Sequence, residues 1–209
     1  MSKVIASLGC GPQSRLLALA ARSFRPYAAH HGYQLELHRE PLDPSRPAPW
    51  SKIVLLRRLA AEHELLLWLD ADTVIVDQAL DIASELEAGR FLYLAEHKTK
   101  EGQMPNSGVM LLRGGEQTIA FLDEVYAQRD LIEHRWWENA AICRLLGYEL
   151  DPIGPGKPTS LLSEHTKLIS PRWNAIRDAP IAQPHIRHYP GYSLKVRAAL
   201  MARDLVLKR

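Results

Sequence analysis

The sequence predicts an α/β protein, and three observations carry that prediction. Short apolar runs bounded by turn residues, Lys3–Leu8 and Leu65–Leu69 foremost, have the length and composition of buried strands. Between and after them lie segments whose apolar residues recur at helical spacing. The two kinds of segment alternate along the chain, the order that lays helices on the faces of a largely parallel sheet.

Taken in order, Lys3–Leu8 ends at Gly9-Cys10-Gly11-Pro12, where the chain must turn. From Ser14 to Gly32 the residues Leu16, Leu17, Ala20, Phe24, Tyr27 and Ala28 form one helical stripe, with Ser14 as the N-cap and Gly32 as the stop. Tyr33–His38 reads as a second strand and completes a β-α-β unit. The prolines between Pro41 and Pro49 exclude a helix interior or a central strand, so this stretch is a loop. A helix follows over Ser51–Glu62, with Ile53, Leu56, Leu59 and Ala60 on its apolar stripe. Leu65-Leu66-Leu67-Trp68-Leu69 is unbroken and reads as a strand covered on both faces. Further on, Phe91–Ala95 and Val109–Leu112 read as strands, and Glu116–Gln128 and Trp136–Leu146 as helices. Ser193–Lys208 reads as a closing amphipathic helix. Asp151–Pro184, rich in proline and turn residues, receives no assignment.

At 209 residues and 46% hydrophobic, the chain suits one domain over 1–209. Its 26 basic and 24 acidic side chains leave a formal charge of +2, which carries no whole-surface signature of nucleic-acid binding. The opening residues lack a signal-peptide apolar region, and no apolar run is long enough to span a bilayer. The expectation is a cytoplasmic protein or one lying peripherally on the inner membrane surface. The last helix, with Lys195, Arg197, Arg203, Lys208 and Arg209, is the segment that would touch anionic lipid. Cys10 and Cys143 lie far apart without metal-site spacing, so neither a disulfide framework nor a zinc site is indicated.

Trp68-Leu69-Asp70-Ala71-Asp72 puts two carboxylates two residues apart at the end of the buried strand. In an extended chain alternate side chains share a face, so both acids would meet one ligand. Carboxylates suit hard cations such as Mg²⁺ and Mn²⁺, and strand C-termini are where open α/β sheets bind ligands. An isolated Asp-x-Asp is most often a surface turn. Here apolar residues flank it on both sides, and two like charges held among them call for a cation.

With these pieces the chain resembles the GT-A glycosyltransferases, specifically the family of fungal α-galactosyl- and mannosyltransferases and plant xyloglucan xylosyltransferases. The resemblance rests on an ordered series: Pro49-Trp50-Ser51-Lys52-Ile53, Trp68-Leu69-Asp70-Ala71-Asp72, Asn106-Ser107-Gly108-Val109-Met110-Leu111-Leu112-Arg113, Trp137-Glu138-Asn139-Ala140-Ala141, Arg172-Trp173-Asn174-Ala175 and His188-Tyr189-Pro190-Gly191. Glycogenin-like glycosyltransferases share a similar plan. The resemblance implies a single GT-A domain with a mixed, mostly parallel sheet. It also implies metal-dependent transfer of a sugar from a nucleoside diphosphate sugar, a UDP-sugar by expectation, with retention of anomeric configuration.

The same resemblance assigns roles. Asp70, Asp72 and His188 would hold Mn²⁺ or Mg²⁺, with His185 as an alternative ligand. Ala6, Ser7, Leu8, Lys52, Ala71, Asn106, Ser107, Gly191 and Lys195 would join Asp70 and Asp72 in binding the donor, Lys195 despite an offset from His188 one residue away from the glycogenin-like pattern. Glu138 and Asn139, where relatives often carry Asp-Gln, would be catalytic. Each has an ordinary alternative: Lys52 as a solvated helix lysine, Asn106-Ser107 as a turn, Glu138-Asn139 as an exposed helix pair, and Trp136-Trp137 as core or as a sugar-stacking platform. The acceptor would be a glycan, a lipid-linked sugar or a small molecule. Two rival functions stand beside this one. Asp70-Ala71-Asp72-Thr73-Val74 superficially matches the nucleophile motif of haloacid-dehalogenase-like phosphatases, although the downstream acidic cluster is missing. A protein that binds sugar nucleotides without turnover is the other.

Overall fold

The computed structural model describes residues 1–98, 102–150, 161–176 and 181–206. Residues 151–160 and 177–180 of the stretch left unassigned by sequence, and Lys208 and Arg209 of the closing helix, lie outside the described residues. Six strands form the main sheet: β1 (Lys3–Leu8), β2 (Gln34–His38), β3 (Leu65–Leu69), β5 (Leu92–Lys98), β6 (Gln103–Arg113) and β7 (Thr166–Ile169), in the spatial order β2-β1-β3-β6-β5-β7. β1 pairs in parallel with β2 and β3, and β5 with β7, while β6 runs antiparallel to both of its neighbours. A second sheet of β4 (Thr73–Ile75), β8 (Ala175–Ile176) and β9 (Ile186–His188) has the order β4-β9-β8.

The helices are α1 (Ser14–His31), α2 (Ser51–Glu62), α3 (Glu116–Ala127), α4 (Trp137–Leu145), α5 (Leu161–Glu164) and α6 (Leu194–Val206). Alternate residues of β3 point to opposite sides of the main sheet. Leu66 and Trp68 join Ile53, Leu56, Leu59, Leu122 and Ala140 from α2, α3 and α4, whereas Leu65, Leu67 and Leu69 join Leu16, Phe24 and Met201 from α1 and α6. Each face of β3 is therefore covered, as its unbroken apolar sequence requires.

Several boundaries differ from the sequence reading for local reasons. Gln13 takes the N-cap position of α1 and Ser14 is already helical, because a short 3-10 turn over Gly11–Gln13 feeds directly into the helix. Gly32 does end α1, at φ 72°, in the left-handed region where a glycine has no Cβ to clash. β5 and β6 outrun their apolar stretches, since their outer ends carry polar residues such as Glu96, His97, Gln103 and Asn106 while the ladder continues. That ladder is broken once: Leu94 pairs with Met110 and Ala95 with Asn106, so Ser107, Gly108 and Val109 bulge away from β5. Bulges redirect side chains and backbone, and this one delivers Ser107 and Gly108 to the end of β3.

No described helix is long and apolar enough to cross a membrane. The basic face expected of the last helix is partly committed inside the protein. Arg197 turns inward to pair with Asp72, whereas Arg203, paired with Asp204, and Lys195 near the start of α6 both stay exposed.

Candidate functional site

The two acids converge by a mechanism other than strand alternation. β3 ends at Leu69, and Asp70–Thr73 forms a tight turn in which the Thr73 N–H and Oγ1–H both donate to the Asp70 carbonyl, at 3.1 and 2.8 Å. Beyond the turn, β4 pairs antiparallel with β9, which sets Thr73 opposite His188, and the Tyr189 N–H donates to the Asp72 carbonyl at 3.1 Å. The small sheet thus carries a histidine from far along the chain to the acidic turn. One ligand atom each from Asp70, Asp72 and His188 lies within 4.8 Å of the others.

Each of the three side chains is oriented by its own partner. Asp70 Oδ1 accepts from Trp68 Nε1 at 2.7 Å and faces Lys52 Nζ at 3.0 Å, while Oδ2 lies 3.8 Å from His188 Nε2. Asp72 Oδ2 accepts from Arg197 Nη1 at 3.0 Å, while Oδ1 lies 3.3 Å from His188 Nε2. His188 Nδ1 bonds Asn174 Oδ1 at 2.9 Å. Every ligand therefore has one atom held by the protein and one turned to a common point. Ligand atoms on one small cation with bonds of about 2.1 Å sit roughly 3 to 4 Å apart, so two carboxylates and an imidazole at these separations fit a shared divalent ion.

Burial pushes the Asp72 carboxyl up, but the neighbouring His188 and the Arg197 guanidinium outweigh it and bring its pKa to about 2. The acids are thus not left uncompensated in the protein alone, contrary to the reading from sequence. Lys52 and Arg197 offset one carboxylate each.

Gly108 makes the histidine's place available. A Cβ there would lie 2.1 Å from His188 Cε1 and 2.6 Å from its Nδ1. Gly108→Ala is expected to push the imidazole off the acid pair, cost about 1–3 kcal/mol through overpacking, and weaken Mn²⁺ binding at least tenfold. Thermal unfolding and a Mn²⁺ titration check both effects.

Beside the acid turn lies a buried polar cluster. Lys52, only 3% exposed, donates to Glu138 Oε1 at 2.7 Å and to the Ser107 carbonyl and hydroxyl, each at 3.2 Å. Its ammonium lies 5.3 Å from the centre of the Trp68 ring. Burial lowers the Lys52 pKa, but Asp70 and Glu138 outweigh that and hold it above the ordinary lysine value. Burial raises the Glu138 pKa, and Asp70 adds to this against the opposing pull of Lys52. Glu138 Oε2 is buried with no hydrogen-bond partner. The solvated-lysine and exposed-pair readings of Lys52 and Glu138-Asn139 do not hold.

Asn139 is committed to the backbone of β6. Its Oδ1 accepts from the Ser107 N–H at 2.7 Å and its Nδ2 donates to the Pro105 carbonyl at 3.3 Å, so it positions the bulge that carries Asn106 and Ser107. Trp136 packs against the apolar cluster and Trp137 is 40% exposed, at φ 45°. Ala6 and Ser7 are fully buried at the end of β1, where Ser7 Oγ lacks a partner, and Leu8 packs at the edge of the core. Ala71 is buried within the acidic turn. Gly191 adopts φ 79° in the turn between β9 and α6.

Two sequence candidates lie away from the acid pair. His185 bonds Asp77 Oδ2 at 2.8 Å through Nδ1 and stacks on Trp173 with ring centres 4.3 Å apart, so of the two histidines it is His188 that faces the acid pair. Lys195 is exposed, and the cation of α6 that reaches Asp72 is Arg197, two residues on. Arg197 escapes sequence reading because it looks like any basic residue of an amphipathic helix. His97 also escapes it. Burial and the neighbouring His188 hold that imidazole below its ordinary pKa.

The sequence pattern of the galactosyl transferase GMA12/MNN10 family matches residues 10–104. No curated protein matches the sequence. Among solved structures, a glycosyltransferase involved in glycosylation of the major capsid of PBCV-1 superposes with a TM-score of 0.74 at 17% identity, over 97% of this chain and 100% of that one. The galactosyltransferase LgtC, in complex with donor and acceptor sugar analogs, gives 0.56 at 11% identity over 95% of each chain. The glycosyltransferase GlyE of Streptococcus pneumoniae TIGR4 gives 0.57 at 14% identity, over 99% of this chain and 63% of that one. The family pattern covers the stretch from just after β1 to the start of β6, a little under half of the chain, and the fold shared along nearly the whole length is the GT-A fold of these glycosyltransferases.

Proposed function

We propose that the chain, acting as one GT-A domain, transfers a sugar from a nucleoside diphosphate sugar, a UDP-sugar, to an acceptor hydroxyl with retention, using Mn²⁺ or Mg²⁺. The observation that carries this reading is the convergence of Asp70, Asp72 and His188 at the end of β3, each with one atom free for a cation. When bound, the cation supplies Lewis-acid stabilisation of the negative charge that grows on the departing diphosphate.

The chain's own residues supply the rest. Asp70, Asp72 and His188 hold the cation, and Arg197, already at Asp72, is the side chain placed to meet diphosphate charge. Ala6, Ser7 and Leu8 form the strand end on which the base would lie. Lys52, Asn106 and Ser107 line the donor side. Glu138, with a buried oxygen that has no protein partner and a raised pKa, suits a hydroxyl of the sugar or acceptor. Asn139 holds the Asn106–Ser107 segment for it. The acceptor is a glycan, a lipid-linked sugar or a small molecule.

Calorimetric titration of UDP tests the reading. The expected result is a binding heat with Mn²⁺ that disappears with chelator, together with UDP release from a UDP-sugar. Binding without turnover in the presence of varied acceptors would support the non-catalytic alternative. No binding with or without metal would overturn the donor site.

A further inference from the structure

We infer that Asn106 and Asn174 form a relay that fixes the tautomer of His188, so that the neutral ring keeps Nε2 for a cation at the acid pair. The inference rests on the metal-site reading and assigns both asparagines as positioning residues. It starts from a group whose role is invariable. The Gly108 backbone N–H can only donate, and it lies 2.9 Å from the Asn106 side chain, so the atom there must be Oδ1. Asn174 meets this same Oδ1 at 2.9 Å and the Asn106 backbone carbonyl at 3.1 Å. Both are acceptors, so Asn174 must present Nδ2 to them. A flipped amide would set its oxygen against two others.

With Nδ2 fixed, Asn174 Oδ1 is the atom that faces His188 Nδ1 at 2.9 Å. An oxygen accepts, so Nδ1 must carry a proton, and Nε2, 3.3 Å from Asp72 Oδ1 and 3.8 Å from Asp70 Oδ2, is the nitrogen that the neutral ring offers to a cation. A neutral histidine ligates through its unprotonated nitrogen, and the bond made by the other nitrogen decides which one that is. Asn174 and His188 are each 2% exposed, so water does not compete for these bonds. The fold assembles the relay at one place: Asn174 directly precedes β8, which pairs with β9 so that Ile176 lies beside His188, and Gly108 both anchors Asn106 and leaves room for the ring.

The test combines two readouts that do not require turnover. In histidine-¹⁵N-labelled wild type without metal, followed upward in pH until the ring shifts stop changing, the His188 resonances are identified by their loss in His188→Gln. The expected spectrum has a protonated Nδ1 and an unprotonated Nε2. In Asn174→Leu that preference is lost and Mn²⁺ affinity, read by electron paramagnetic resonance, falls roughly 10- to 100-fold. Asn106→Ala, which leaves the backbone carbonyl in place, keeps the tautomer and loses less. A neutral wild-type His188 protonated at Nε2 and not at Nδ1 would overturn the relay, as would wild-type Mn²⁺ affinity in an Asn174→Leu protein of unchanged thermal stability. The wild-type spectrum needs no variant, so the test survives misfolding of Asn174→Leu. If the wild type binds no Mn²⁺, the metal reading falls, while the tautomer still decides the relay.

Discussion

Asp72→Asn is expected to yield a folded protein that no longer binds UDP in a Mn²⁺-dependent manner and transfers sugar roughly 10²- to 10³-fold more slowly, the range for removal of one group that stabilises transition-state charge. The amide keeps the shape of the carboxylate and an oxygen for Arg197 Nη1, which now lies 3.0 Å from Asp72 Oδ2. It loses the charge that makes Oδ1 a strong ligand for a hard cation. With a pKa of about 2, the acid is ionised at any ordinary working pH, so the variant replaces an anion rather than a neutral acid. Stability should fall by only about 1–2 kcal/mol, because the hydrogen bond to Arg197 survives in weaker form. Calorimetry with Mn²⁺ and UDP, a product assay and thermal unfolding separate these effects. A variant that binds both ligands as the wild type does would remove Asp72 from the site.

Sequence reading reaches parts of this arrangement and misses others for physical reasons. Leu65–Leu69 is legible because a strand buried on both faces must be apolar throughout, and the acidic turn is legible because it interrupts that apolar run. The helix Ser51–Glu62 and the strand Lys3–Leu8 have sharp breakers at their ends, and the structure gives both with the same bounds. What is not legible is anything that depends on long-range pairing. The bulge at Ser107–Val109 follows from the register between β5 and β6. The placing of His188 follows from its pairing with Thr73 across more than a hundred residues.

Identity by residue type also misleads where geometry decides. Lys195 and Arg197 are equivalent cations on an amphipathic helix until the helix is docked, and only then does Arg197 face Asp72. Lys52 reads as a surface lysine until Glu138 and Asp70 are seen on either side of it. Asn174 has no sequence signal beyond the family resemblance, because its function lies in which end of its amide faces His188.

The buried lysine supplies the second large effect. Lys52→Met should destabilise the protein by about 3–5 kcal/mol, the usual cost of removing one partner from a buried ion pair. The variant leaves Glu138, 4% exposed, without its cation and strips Asp70 Oδ1 of one of its two donors. Glu138 can escape part of this cost by taking a proton. Its folded-state pKa already lies above the ordinary 4.5, chiefly through burial, and loss of Lys52 raises it further. An acid whose pKa is raised on folding favours the folded state below its unfolded pKa, and that contribution is lost as pH rises through the folded value. The deficit of Lys52→Met relative to wild type should therefore be largest near neutral pH and shrink as the solution is acidified toward the ordinary glutamate range. Thermal melts of both proteins across that interval check the sign. Adding Glu138→Leu should recover much of the lost stability, since an apolar pair replaces the orphaned charge, yet transfer activity should stay low because Glu138 is gone and Asp70 and Ser107 still lack the lysine. If the double variant were no more stable than Lys52→Met, the loss would come from repacking around α2 and not from an unpaired Glu138.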